Sequence, residues 1–148
     1  MRFHLIDRID DYEAGKSVRG RKLTSAGEEI WDESPGGPVM SPPLVLESLC
    51  QAATWLIVAS TGRRKRAALL QLGSVRFDGD VVPGDVLELS GEIETMSAEM
   101  AVLSGTAAVG DRSVLRADDI MCALIDADDL EGAPETEVML RRLTREAS

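Results

Sequence analysis

Glu33 and Glu47 stand fourteen residues apart in the stretch ESPGGPVMSPPLVLE, and between them lie four prolines and two glycines. Two carboxylates brought together can do general acid and base work, one holding the proton that the other lacks, because burial beside a like charge raises the apparent pKa of the pair. Left apart in solvent they do nothing. The alternatives for this stretch are therefore a catalytic site and the mere entrance to a buried helix, and the surrounding elements decide between them.

Residues 25–43 hold four of the six prolines and three glycines and read as a loop. A helix follows. Ser41 suits the N-cap, and Pro42 and Pro43 suit a first turn, whose N–H groups lack partners anyway. Gly62 is a natural stop, and Arg63, Arg64, Lys65 and Arg66 suit the negative end of a helix. About 20 residues at ~1.5 Å per residue give a helix of roughly 30 Å. The run Leu44 to Thr61 is long enough for a bilayer, but Glu47, Ser48, Gln51 and Thr54 within it point to a buried helix instead. It is apolar nearly all round, so other structure should wrap it.

The remaining pattern is largely period two. Residues 2–9 read as a strand or a short helix, Lys16 to Thr24 as a strand, and Ala67 to Phe77 as a strand with a breaker at Gly73. Pro83-Gly84 makes a turn, after which Leu87, Leu89 and Ile93 alternate with Glu88, Ser90, Glu92 and Glu94. Glu99 to Val109 and Ser113 to Ile125 read as two more strands about a Gly110-Asp111 turn. Successive strands with hairpin-length links argue for an antiparallel meander. The expected architecture is α+β, a curled antiparallel sheet around one long central helix.

With 148 residues, 44% of them hydrophobic, one core-bearing domain is expected over 1–125. Residues 126–148 read as an acidic linker and a short helix: 126–137 carry six acids and no base, and Val138, Leu140 and Leu143 share one side of a stretch from 134 to 146. A formal net charge of −10 repels phosphate backbones and makes nucleic acid a poor partner. The N-terminus carries charge too early for a signal peptide, and Cys50 and Cys122 read as free buried thiols of a reducing cytoplasm. No CxxC and no His/Cys cluster suggests a metal, and the single histidine, His4, reads as a packing residue.

PGGPVMSPPLVLESLCQAA resembles the central motif of the 3-hydroxyacyl-acyl-carrier-protein dehydratases, in which a loop of the form G-H-F-P-G-x-P-x-M-P-G runs into a helix containing E-A-L-A-Q. HLIDRIDDYEAGKSV, VRFDGDVVPGDVLEL and ADDIMCALI resemble three further segments of that family in the same order, so the likeness spans about residues 2–125. It implies the hotdog fold, a homodimer or higher oligomer whose paired subunits share one sheet, and an acyl tunnel between them. The implied substrate is a 3-hydroxyacyl thioester on acyl carrier protein or coenzyme A, in fatty acid or polyketide metabolism, with no cofactor. In the family a loop histidine is the base at C2, a helix glutamate of the partner handles the departing hydroxyl, and backbone N–H groups at the helix start polarise the thioester carbonyl.

Carried over residue by residue, the helix acid is Glu47 and its following glutamine Gln51; Pro35-Gly36, Pro38 and Met40 match the loop. The histidine position holds Glu33, and the Pro-Gly before the helix becomes Ser41-Pro42. The resemblance thus implies Glu33 and Glu47 as catalytic residues, and Gly36, Met40, Ser41 and Gln51 as substrate contacts. Imidazole is a good base near neutrality, whereas a glutamate at its reference value of ~4.3 is a weak one. Proline has no N–H, so Pro42 and Pro43 offer no donor to an oxyanion and Leu44 offers the first. Altered or lost dehydratase activity is therefore expected. The alternatives are a thioesterase using Glu47 and a non-catalytic or complementing subunit of a heteromeric dehydratase. Residues 63–66, the basic run of an acidic chain, are a candidate docking patch for an acidic carrier protein.

Overall fold

The structure, a computed structural model, describes residues 5–127 and 139–144. Strands β1 (Arg8–Glu13), β2 (Ser17–Leu23), β6 (Val86–Met96), β7 (Met100–Val109), β8 (Arg112–Asp126) and β5 (Lys65–Phe77) form one antiparallel sheet in that order. Strands β3 (Trp31–Ser34) and β4 (Gly37–Met40) make a separate two-stranded sheet, and α1 (Pro42–Ser60) is the long helix. The sheet packs on α1 chiefly through β2, β5, β6 and β7. This is the expected α+β hotdog arrangement.

The helix forms where its punctuation places it. Ser41 is the N-cap and prolines fill the first two positions, but the serine side chain makes no capping bond; its carbonyl does the work, accepting from the N–H groups of Leu44 (2.9 Å) and Val45 (3.2 Å). At the other end Gly62 sits at φ +61°, a conformation that favours glycine, and the Arg63 N–H returns to the Val58 carbonyl at 2.9 Å, a closing turn that satisfies the last carbonyls. The basic run follows the helix rather than lying in its last turn: Lys65 and Arg66 already belong to β5, and Lys65 pairs with Asp126 at 2.6 Å.

Leu49, Leu56 and Ile57 of α1 meet Leu87, Leu89, Leu103, Leu115 and Ile120 of the sheet in a fully buried aliphatic core. Close approach is arranged by Gly105, where an added Cβ would lie 2.8 Å from Leu49 Cδ1 and 2.7 Å from the Ser90 carbonyl. The wrapping is one-sided in the single chain. Val45, Ser48, Leu49, Ala52, Ala53, Leu56, Ile57 and Val58 are buried, while Pro42, Pro43 and Glu47 are exposed and Leu46, Cys50 and Trp55 are half-buried.

Several expectations change. The first strand begins at Arg8 and runs to Glu13, later than the segment 2–9. The loop over 25–43 contains the β3–β4 hairpin, because four residues flanked by Pro and Gly carry too little alternation to announce a strand. Gly73 does not break β5; an added Cβ there would meet Asp119 Cβ at 2.5 Å, so glycine admits the irregular partner strand, where Asp119 stands at φ +53°. Cys50 is half-buried rather than buried. Of the short helix expected over 134–146, residues 139–144 are described and helical, with Leu140 and Leu143 each 3% exposed. His4, Val138 and the acidic run beyond Ala127 lie outside the described residues.

Candidate active site

The hairpin and the start of α1 form one unit. Trp31 pairs with Met40 and Glu33 with Pro38, and Pro35-Gly36 makes the two-residue turn. The turn closes through the Ser34 hydroxyl, which donates to the Gly37 carbonyl, and Gly37 takes φ +113°. The Met40 N–H donates to Val81 (2.8 Å) and the Ser41 N–H to Ile30 (2.9 Å), which fixes the junction where β4 becomes helix.

The residues expected to do chemistry fall around that junction. Met40 is buried, Ser41 is half-buried, and Gly36 and Glu33 are exposed on the hairpin. Among the described residues the Glu33 carboxylate makes no hydrogen bond or ion pair, and it is not joined to Glu47 within the chain. Glu47 is exposed in the second turn of α1 and accepts from Gln51 Nε2 at 3.3 Å. The orientation of that amide is set from behind: Gln51 Oε1 accepts the Leu5 N–H at 2.8 Å, which turns the NH2 group toward the glutamate. The backbone of Leu5 was not legible as a site element, since a main-chain N–H leaves no mark in sequence.

The helix start is poorer in donors than its sequence suggests. Pro42 and Pro43 have none, and Leu44 and Val45 already give theirs to the Ser41 carbonyl. The Ser41 hydroxyl makes no hydrogen bond among the described residues and is the free donor at this end. Beside it lies a cleft of about 270 Å³ whose lining includes Met40, Pro42, Val45 and Phe77 together with Asp78 and Asp80. Asp78 is held by Arg76 (2.8 Å) and by the Ser113 hydroxyl (3.3 Å). The two aspartates went unnoticed in the sequence because they read only as turn residues.

Cys50, one turn beyond Glu47, is placed as a weak nucleophile. Burial, then the negative charge of Glu47, then Cys122 push its thiol up to about 11, and burial also raises Cys122. Alkylation of Cys50 at neutral pH is expected to run about a hundredfold slower than that of an ordinary free thiol, with half-maximal rate near pH 11. Mass-spectrometric timing of iodoacetamide addition checks this; rapid labelling at pH 7 would contradict it. No group of three or more His, Cys, Asp or Glu among the described residues is placed to hold a metal ion.

Comparison with known proteins agrees with this frame. Residues 1–118 match the FabA-like domain family. The chain is 37% identical over 115 residues to the 3-hydroxyacyl-[acyl-carrier-protein] dehydratase FabZ of Pediococcus pentosaceus, covering 76% of this chain and 77% of that protein. Among solved structures it resembles an uncharacterised protein from Pyrococcus horikoshii (TM-score 0.66, 16% identity, 82% of this chain and 85% of that one). It also resembles a hypothetical thioesterase from Streptococcus pneumoniae with coenzyme A (TM-score 0.61, 18% identity, 80% and 85%), a likeness of fold. The chain belongs to the FabA-like family and, within it, is a homologue of the FabZ 3-hydroxyacyl-[acyl-carrier-protein] dehydratases.

Proposed function

We propose that this chain binds acyl thioesters at the hairpin–helix junction, as a dehydratase-type protein of fatty acid or polyketide metabolism with reduced or lost dehydratase activity. The observation that carries the reading is the helix start: it keeps the family's acid in Glu47 but has no free backbone N–H through Val45. An oxyanion there would have only the Ser41 hydroxyl, and each missing donor costs about 3 kcal/mol of transition-state stabilisation. Glu33 in the histidine position removes the base that works best near neutrality. The test offers the purified protein 3-hydroxyacyl and 2-enoyl thioesters on acyl carrier protein and on coenzyme A. Binding with slow or absent interconversion is expected; interconversion at the rate of a histidine-bearing relative would overturn the proposal.

Hydrolysis is the second reading, favoured by one contact. Gln51 donates to Glu47 and so orients its carboxylate, and a helix carboxylate can act as base or nucleophile in thioester hydrolysis without histidine. A non-catalytic or complementing role in a heteromer is the third, since a site shared between chains can take its missing base from a paralogue.

The assembly proposed is a homodimer or higher oligomer through β5. This strand is 13 residues long, ends the sheet, and leaves Leu69, Leu70 and Phe77 about half exposed, an open apolar edge that invites strand pairing. The other edge, β1, is irregular at Ile9/Asp11 and laced with Arg–Asp pairs, features that discourage pairing. Free Cys50 and Cys122 fit a cytoplasmic setting.

The carrier protein is proposed to dock near residues 63–66. Arg64 and Lys65 line a cleft of about 400 Å³ together with Met96 and Ser97 of the β6–β7 hairpin. Neutralising residues 63–66 is expected to weaken carrier-protein binding by about tenfold at low salt and less at high salt. Titration calorimetry at two ionic strengths checks this, and unchanged affinity would remove the docking assignment.

A further inference from the structure

Lys22 is the only charged residue found in the buried class among the described residues, at 3% exposure. It occupies an inward position of β2, on the face that also carries buried Val18 and Gly20, where an aliphatic residue would serve packing alone. Its ammonium donates to Glu28 Oε1 at 2.6 Å and to the Leu23 carbonyl at 3.2 Å, with Asp7 Oδ2 3.9 Å away. The contacts continue outward. Glu28 Oε2 accepts the Ser25 N–H at 2.8 Å, and the Ser25 carbonyl accepts the Trp31 indole N–H at 2.9 Å. Burial alone would raise the Glu28 carboxyl, but Lys22 and the Ser25 N–H outweigh it and hold Glu28 below its ordinary value, so the link stays ionic.

Trp31 opens β3, two residues before Glu33. The β3–β4 ribbon has no strand neighbour in the main sheet, and a two-stranded ribbon is barely stable by itself. Besides the Ser41–Ile30 bond across its base and the packing of Met40 and Trp31 on the core, two links tie it to more distant parts of the chain: the Met40–Val81 bond at the end of β4, and the run Lys22–Glu28–Ser25–Trp31 at the start of β3. The first holds the ribbon beside the helix start. The second links it to β2.

We infer that Lys22 is a positioning residue for the candidate site: through Glu28, Ser25 and Trp31 it sets where the β3–β4 hairpin, and with it Glu33, stands against the start of α1. The anchoring of the hairpin is independent of the reaction; its bearing on the ligand rests on the function proposed above.

The test compares amide hydrogen exchange in the full-length wild type with that in Lys22→Met, Trp31→Phe and Glu28→Gln. Trp31→Phe keeps an aromatic ring and the lysine pair, and removes the indole N–H together with the five-membered ring that carries it. Amides of residues 31–40 are expected to exchange about tenfold faster in Lys22→Met and Trp31→Phe, while those of β6 and β7 hold their protection. Glu28→Gln leaves one acceptor where Lys22 and Ser25 use two, its NH2 facing one of those donors, and is also expected to speed exchange of residues 31–40 by about tenfold. Unaltered hairpin exchange in Trp31→Phe would overturn the inference, as would equal acceleration of every strand in Lys22→Met, which marks a general stabiliser. If Lys22→Met does not fold, Trp31→Phe decides. The affinity of a non-hydrolysable acyl-pantetheine analogue is read on the same variants. Weaker binding in Trp31→Phe supports the extension to the site. Faster hairpin exchange with unchanged affinity overturns that extension, and with it the placing of the ligand at the hairpin, but leaves the anchoring intact.

Discussion

Glu33→His combined with Pro42→Gly is expected to raise the rate of 3-hydroxyacyl-thioester dehydration by at least two orders of magnitude over the parent chain. A positioned imidazole contributes about 10²–10⁴ as general base, and one restored oxyanion donor about 10²–10³. Groups that act as a unit give little when restored singly, so Glu33→His alone and Pro42→Gly alone are each expected to gain much less than the pair. Glycine at 42 supplies an N–H at the first helical position, which has no intrahelical acceptor and is free to face a ligand. The cost is modest, about 1 kcal/mol for trading a pre-organised proline for glycine. Glu33 is exposed and has no partner among the described residues, so histidine there should leave the fold alone. Stopped-time assays of enoyl-thioester hydration on all four proteins check the expectation. A double variant no faster than its parent would mean that the hairpin does not face the reacting carbons, and Glu33 and Pro42 would not be what limits dehydration.

How much of this was legible in the sequence depends on the range of the forces involved. The helix was, because its boundaries are local: Ser41, Pro42-Pro43 and Gly62 act on their own turns. The strands from β5 to β8 were, because alternation over ten or more residues leaves few other readings. The hairpin was not. Its stability comes from Val81, 41 positions beyond Met40, and from Ser25 beneath Trp31, contacts without a local signature. Lys22 was invisible for a related reason, since a lysine in a strand reads as an outward residue until its partners are known. At the site, the missing proline donors could be read directly. The loss of Leu44 as a donor could not, because it depends on which carbonyl that N–H meets. The sequence resemblance named the acid, the glutamine and the displaced histidine; only the structure adds that Gln51 is oriented by Leu5 and aimed at Glu47.

That last contact makes Glu47→Gln the sharpest discriminator between the three activities. The substitution is isosteric, removes the charge and leaves Gln51 a side-chain oxygen to donate to. Glu47 is exposed in the chain and is held by Gln51 at 3.3 Å, so stability is expected to change by less than about 0.5 kcal/mol. Turnover is a different matter. If the chain hydrolyses thioesters, free-thiol release should fall by about 10²–10⁴ with little change in KM, the pattern of a group that acts only in the transition state. If it retains slow dehydration, that rate should fall in the same way. If it only binds, the dissociation constant should move by less than about threefold and no rate should exist to lose. Thiol release that survives the substitution undiminished removes Glu47 from the chemistry and with it the hydrolytic reading. The kcat of the variant thus separates a working carboxylate from one inherited with the frame, and the unchanged stability ensures that the difference is read at the site and not in the fold.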